Sequence, residues 1–168
     1  MNYGKIKSID IANGEGVRVS LFVSGCPHHC KGCFNPELWN YNAGKLFTSK
    51  TTSDIIRLCE EDYITGLSLL GGEPLAPEHI YQVTTLCFLF KTYFSTKDIW
   101  CYTGYKWEDV KWFPIMKYID VLVDGQFVEE LKDPRLKFRG SSNQRIIDVK
   151  KSIESGQVVL RKDLMECD

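Results

Sequence analysis

The chain has 168 residues, enough for one domain with a real core. A formal net charge of −1, with 43% hydrophobic and 26% charged residues, describes a globular chain and excludes the strongly basic footprint of a nucleic-acid binder or a membrane-surface protein. No apolar run approaches the roughly 20 residues of a membrane span, and Met1 to Asp10 has no signal-like apolar region, so the seven cysteines are expected to stay reduced in a cytoplasmic protein unless they hold metal.

In chain order, Met1 to Gly16 is mixed and mostly polar, with a flexible patch at Asn13–Gly16. Val17 to Ser24 (VRVSLFVS) is β-branched and aromatic and reads as the first strand. A loop follows it at once: Cys26-Pro27-His28-His29-Cys30-Lys31-Gly32-Cys33. Pro36 to Lys50 reads as irregular, with Trp39 and Tyr41 as packing anchors. Thr51 with Asp54 predicts a helix start, and Ile55, Cys59 and Asp62–Tyr63 mark one face. Gly66 to Leu70 is a short apolar strand running into Gly71-Gly72-Glu73-Pro74. The spacing of Ile80, Val83, Cys87, Phe90 and Phe94 predicts a helix over about Pro77 to Phe94. A third strand spans Asp98 to Tyr102 and ends at Thr103-Gly104-Tyr105. A helix over about Trp107 to Lys117 leads to a fourth strand, Ile119 to Val123.

Strands alternating with helices predict an α/β fold with a mostly parallel sheet. Four strands are too few for a closed eight-stranded barrel, so an open, partial barrel fits the length. The unusual residues gather where strands end, which is where such sheets carry their sites. Residues 1–149 form the expected main domain. Residues 150–168 form an extension in which Ile146–Val149 and Val158–Leu160, flanking Ser155-Gly156-Gln157, suggest a hairpin followed by a flexible tail. Lys132 to Lys162 carries nine Lys or Arg against three Asp or Glu. Its Lys137–Arg145 block reads either as a solvated turn or as a basic surface that engages a partner.

The cysteine loop carries the most chemistry. Three thiols at Cys-x3-Cys-x2-Cys spacing can grip one metal centre. Two readings follow. In one, His28, His29 or a distant cysteine completes a structural zinc site. In the other, Cys26, Cys30 and Cys33 hold a [4Fe–4S] cluster and leave one iron open. Cys59, Cys87 and Cys101 fall on expected helix faces or a strand, where cysteine is usually a small core residue, and Cys167 lies in the tail. The two loop histidines read as exposed and His79 as a surface helix residue. Gly71 and Gly72 either form a tight turn or let backbone approach a ligand closely, and Glu73 offers a carboxylate to an ammonium. Tyr102 and Thr103 either pack the strand end or face a cofactor.

The cysteine spacing resembles the signature of the radical S-adenosylmethionine superfamily, and Gly71–Pro74 is similar to its glycine-rich motif. The position before the third cysteine, usually aromatic there, is Gly32 here, and the aromatic follows instead at Phe34. Further blocks resemble the anaerobic ribonucleotide reductase activating enzymes: Met1-Asn2-Tyr3, Asn13-Gly14-x-Gly16, Leu21 to Cys26, Cys33-Phe34-Asn35, Asp98-Ile99-Trp100, Tyr102 to Tyr105, Val121 to Phe127 and Arg139 to Arg145. Together they span about Met1 to Arg145. The resemblance implies one [4Fe–4S] cluster on Cys26, Cys30 and Cys33 whose open iron takes the amino and carboxylate groups of S-adenosylmethionine. It places Gly32, Cys33, Phe34, Gly71, Gly72, Glu73, Tyr102 and Thr103 around that cofactor. It further implies reductive cleavage of the cofactor and a glycyl radical made on the large subunit of an anaerobic ribonucleoside-triphosphate reductase. The electron would come from a one-electron donor such as flavodoxin. Two other readings remain: a small-molecule radical enzyme of the deazapurine-precursor type, and a zinc-stabilised interaction module.

Overall fold

The computed structural model describes residues 1–165, so Cys167 and the end of the expected tail lie outside the described residues. Seven strands form one sheet: β1 (Asn2–Asp10), β2 (Val17–Ser24), β3 (Lys45–Leu46), β4 (Ile64–Gly71), β5 (Asp98–Tyr102), β6 (Val121–Asp124) and β7 (Arg145–Asp148), in the order β3-β1-β2-β4-β5-β6-β7. The sheet is open, with β3 and β7 at its two edges. The β2–β4, β4–β5 and β5–β6 pairings are parallel, whereas β1–β2, β1–β3 and β6–β7 are antiparallel. The expected mostly parallel sheet is therefore corrected to a mixed one. The parallel centre is the part whose strands read as apolar runs. The strands added at its sides are polar or very short: β1 carries Lys5, Lys7 and Ser8, and β3 has only two residues.

The central strands are buried on both faces, as parallel strands covered by helices should be. Val19, Leu21, Val23, Leu67, Leu69, Ile99 and Cys101 point into the main core. Against them pack α1 (Ser49–Leu58) and α2 (Ile80–Tyr93), through Ile55, Val83, Leu86, Cys87 and Phe90. The other face carries Arg18, Ser20, Phe22, Ser68, Leu70, Trp100 and Tyr102. Arg18 is fully buried there and lies over the Trp100 ring. Its guanidinium donates to Ser68 Oγ at 2.7 Å and Leu67 O at 3.0 Å, and pairs with Asp98 at 2.7 Å. These partners replace the water a buried cation loses.

Three helix expectations shift for identifiable reasons. The α1 cap is Thr48, not Thr51: Thr48 Oγ1 accepts from Thr51 N, and Thr51 Oγ1 accepts from Thr48 N. Asp54 sits on the outer face and pairs with Lys50 at 2.7 Å. The segment expected as one helix over 107–117 is split into α3 (Trp107–Val110) and a 3₁₀ turn at Pro114–Lys117, because Pro114 cannot continue a helix. The segments expected as a C-terminal hairpin do pair antiparallel, Ile147 opposite Leu160, but α4 (Val149–Ser155) stands between them in place of a tight turn. The Asp148 side chain accepts from Lys151 N at its start, and Gly156, at φ +71°, caps its end. The glycine that suggested a hairpin turn is thus a helix stop. The chain then returns beside β7, with Asp148 N donating to Val159 O and Arg161 N donating to Ile146 O, and the described residues end in α5 (Lys162–Met165).

The cap assignment is testable. Thr48→Ala should lower stability by about 1 kcal/mol in urea unfolding, while Asp54→Ala should leave the midpoint unchanged; the reverse pattern would restore the helix start expected from Thr51.

Candidate iron–sulfur site

The parallel strands β2, β4, β5 and β6 end on the same side, so the loops after them meet. Gly25 follows β2 in a left-handed conformation (φ +108°) against the Tyr41 ring. The cysteine loop is then held in place by main chain: Gly25 N donates to Leu38 O at 2.7 Å, Cys26 N to Trp39 O at 3.1 Å and Cys33 N to Cys30 O at 3.1 Å. His29 takes a left-handed φ of +47° and stacks on Trp39. Such strain in a non-glycine residue persists only where its surroundings over-determine it.

The loop after β4 approaches backbone to backbone. Gly72 N donates to Val23 O at 2.7 Å and Glu73 N to Gly25 O at 2.8 Å. A Cβ on Gly72 would fall 2.3 Å from Gly25 O. The second glycine is thus required by this contact between two loops, whatever else it does.

Glu73 is buried, and four donors surround its carboxylate. Oε1 accepts from Leu75 N at 2.9 Å and Thr103 Oγ1 at 2.8 Å; Oε2 accepts from Gly104 N at 2.8 Å and lies 2.8 Å from His28 Nε2. A carboxylate offers about four lone-pair sites, so this one is filled by its own chain. His79, expected on the surface, is instead buried, with Nδ1 2.7 Å from Glu73 O and its ring beside Tyr41. His28, expected as an exposed loop residue, has a side chain only 9% exposed. Both were missed for the same reason: a histidine in a loop or before a helix carries no periodic signal, and only the carboxylate of Glu73 and its main chain draw them inward.

A cavity of about 530 Å³ opens above these loops. Cys26, Cys30 and Cys33 lie on its wall, with Gly71, Gly72 and Glu73, and with Tyr102 and Thr103 from the end of β5. Phe34 also lines it, packed on Phe127 with ring centroids 5.1 Å apart. Gly32 does not line it. This glycine has φ +71°, and a Cβ there would meet Glu129 Oε1 at 2.8 Å, so the backbone excludes the aromatic expected at that position. The buried Tyr102 hydroxyl has no hydrogen-bond partner among the described residues, and burial pushes its pKa far above the usual phenol range.

The three loop cysteines are free thiols. Burial pushes the Cys26 thiol up to about 11, and the Glu73 anion adds to the effect. Burial raises Cys30 as well. Among the described residues no three His, Cys, Asp or Glu side chains converge closely enough to hold a single metal ion. A donor set of separated thiols around a shared cavity suits a cluster, in which each thiolate takes a different iron, better than one zinc ion. Among the described residues, Cys59, Cys87 and Cys101 are committed to the core and both His28 ring nitrogens to protein partners, while the His29 ring stacks on Trp39.

A family model described as a 4Fe-4S single cluster domain matches residues 12–147. The anaerobic ribonucleoside-triphosphate reductase-activating protein of Enterobacteria phage T4 is 44% identical over 146 residues, covering 87% of this chain and 93% of its own. The protein of the same name from Escherichia coli K12 is 43% identical over 148 residues, covering 86% and 96%, and that of Vibrio cholerae is 43% identical over 150 residues, covering 87% and 97%. The chain belongs to the reductase-activating protein family. Within that family, this member carries its iron–sulfur chemistry on a domain whose only thiols on the cavity wall are those of the cysteine loop, among the described residues.

Two measurements probe the site without cofactor. Glu73→Gln removes the anion that gathers four donors and should destabilise the metal-free protein by about 1–3 kcal/mol in urea unfolding. The second concerns pH. The folded chain keeps the Cys26 proton up to about 11, whereas an unfolded thiol releases it near 9.0, so between these values the folded state binds more protons and stability falls as pH rises. The wild type should therefore lose stability more steeply over that interval than Cys26→Ala; equal slopes would contradict the assignment.

Proposed function

We propose that this chain activates an anaerobic ribonucleoside-triphosphate reductase by generating a glycyl radical on its large subunit. In this reading the chain is a radical S-adenosylmethionine enzyme. The observation that carries it is that three thiols, with no fourth cysteine on the cavity wall among the described residues, share one cavity with the glycine-rich turn after β4. The open order of the sheet, with four parallel strands ending at the site, supports the partial (βα) barrel of that superfamily.

Cys26, Cys30 and Cys33 would hold the cluster, whose irons would displace the protons that burial retains on Cys26 and Cys30. When bound, the cluster and S-adenosylmethionine together supply the one-electron chemistry that removes a hydrogen atom from a glycine of the reductase. The residues of this chain place and enclose those groups. Gly71 and Gly72 give main-chain access to the methionine part of the cofactor. Glu73 orients that turn through Leu75, Thr103 and Gly104 rather than through a carboxylate left free for the ammonium. Phe34, held by Phe127, walls the cavity, and Tyr102 presents an apolar ring at its base beside Phe22 and Leu70. The cavity is open to a polypeptide loop, and Phe138, Arg139 and Gly140 of the basic segment lie on its rim.

The decisive experiment mixes anaerobically reconstituted protein, S-adenosylmethionine, a one-electron donor such as flavodoxin, and the reductase. We expect about four irons per chain and a glycyl doublet in the electron paramagnetic resonance spectrum. Cys30→Ala should abolish both while the metal-free fold survives by circular dichroism. A colourless protein holding stoichiometric zinc would sink the proposal.

A further inference from the structure

His28 lies between the first two thiols of the loop, yet its side chain turns away from solvent and reaches across the site. Its Nε2 is 2.8 Å from Glu73 Oε2, and its Nδ1 is 3.2 Å from Gln126 Nε2. The ring stands edge-on to Tyr105, with centroids 4.7 Å apart. Its seat is cut to fit: a Cβ on Gly104 would fall 2.3 Å from the His28 Cδ2 atom. One imidazole from the loop after β2 thus touches the loops after β4, β5 and β6.

Glu73 is an acceptor, so Nε2 donates to it, and the Gln126 amide faces Nδ1. Both ring nitrogens are thereby engaged by protein groups.

We propose that His28 is a positioning residue that pins the arc between Cys26 and Cys30 to the Glu73 carboxylate, holding the thiols pre-arranged for the cluster. The inference rests on the cluster assignment above. Without the tether, the arc keeps Cys26 N on Trp39 O, the His29 ring on Trp39 and the Cys30–Cys33 turn, and none of these ties it to the loops after β4, β5 and β6. Partners that orient metal ligands from outside the coordination shell typically change metal retention by 10–100-fold when removed, and a tether acting through the loop belongs at the lower end of that range.

The test compares reconstituted wild type, His28→Leu, His28→Gln and Gln126→Leu by the rate of iron loss to a chelator, the electron paramagnetic resonance spectrum of the reduced cluster, and metal-free melting. His28→Leu should lose iron about tenfold faster and broaden the cluster signal. His28→Gln, whose amide can donate to Glu73 and accept from Gln126, should restore most of the retention. Gln126→Leu, which leaves Glu73 untouched, should accelerate loss with unchanged metal-free melting, and it decides the matter if His28→Leu does not fold. Wild-type retention in His28→Leu, or in Gln126→Leu where His28→Leu does not fold, would overturn the proposal, as would His28→Gln losing iron as fast as His28→Leu. A wild type that binds no four-iron cluster would instead refute the cluster assignment and this inference with it.

Discussion

The site depends on one buried carboxylate. Glu73 stands at the turn after β4 and is shielded from solvent, so its charge must be met by the protein itself. It is met by Leu75 from its own turn, Thr103 and Gly104 from the end of β5, and His28 from the cysteine loop. An unpaired charge in that position would cost far more than these loops cost to order. The requirement to surround one anion therefore sets how the strand-end loops lie against each other. The parallel centre of the sheet makes this possible, since β2, β4 and β5 deliver their C-terminal ends to the same edge.

Close backbone approach supplies the rest. With Gly25 and Gly72 in contact, the loops after β2 and β4 stack main chain on main chain, and no side chain separates the thiols from the turn below them. Burial disfavours the thiolates of Cys26 and Cys30, and the nearby Glu73 carboxylate adds to the effect, so the metal-free protein holds these two protons and any metal bound there must displace them.

Much of this was legible in the sequence, and the parts that were not share a cause. The strands Val17–Ser24 and Asp98–Tyr102 coincide with β2 and β5 because buried parallel strands read as continuous β-branched and aromatic runs. β1 was not legible, because a strand bearing Lys5, Lys7 and Ser8 has the composition of a loop. The ends of helices failed where one local signal was read for another, as with Thr51 for Thr48 and Gly156 as a turn rather than a cap. The gathering of cysteines, glycines and Tyr102–Thr103 at strand ends followed from topology. The inward turn of His28 and His79 did not, since it is dictated by a partner 45 or 6 residues away rather than by neighbours in sequence. Gly32 was conspicuous as a missing aromatic, and its left-handed backbone against Glu129 supplies the reason.

The distribution of commitments around the cavity says what kind of protein this is. The acid and the base nearest the thiols are Glu73 and His28, and each is saturated by the other and by neighbouring loops. Neither is poised to exchange protons with a substrate, which would require a free lone pair or a labile hydrogen facing the cavity. What else faces it is thiols, main chain, aromatic rings, the Lys5, Lys7 and Arg139 side chains, and the Tyr102 hydroxyl, which has no hydrogen-bond partner among the described residues. A site furnished in this way has spent its acid and its imidazole on geometry. Its own contribution is to hold the three thiols and the glycine turn after β4 at fixed positions around one cavity.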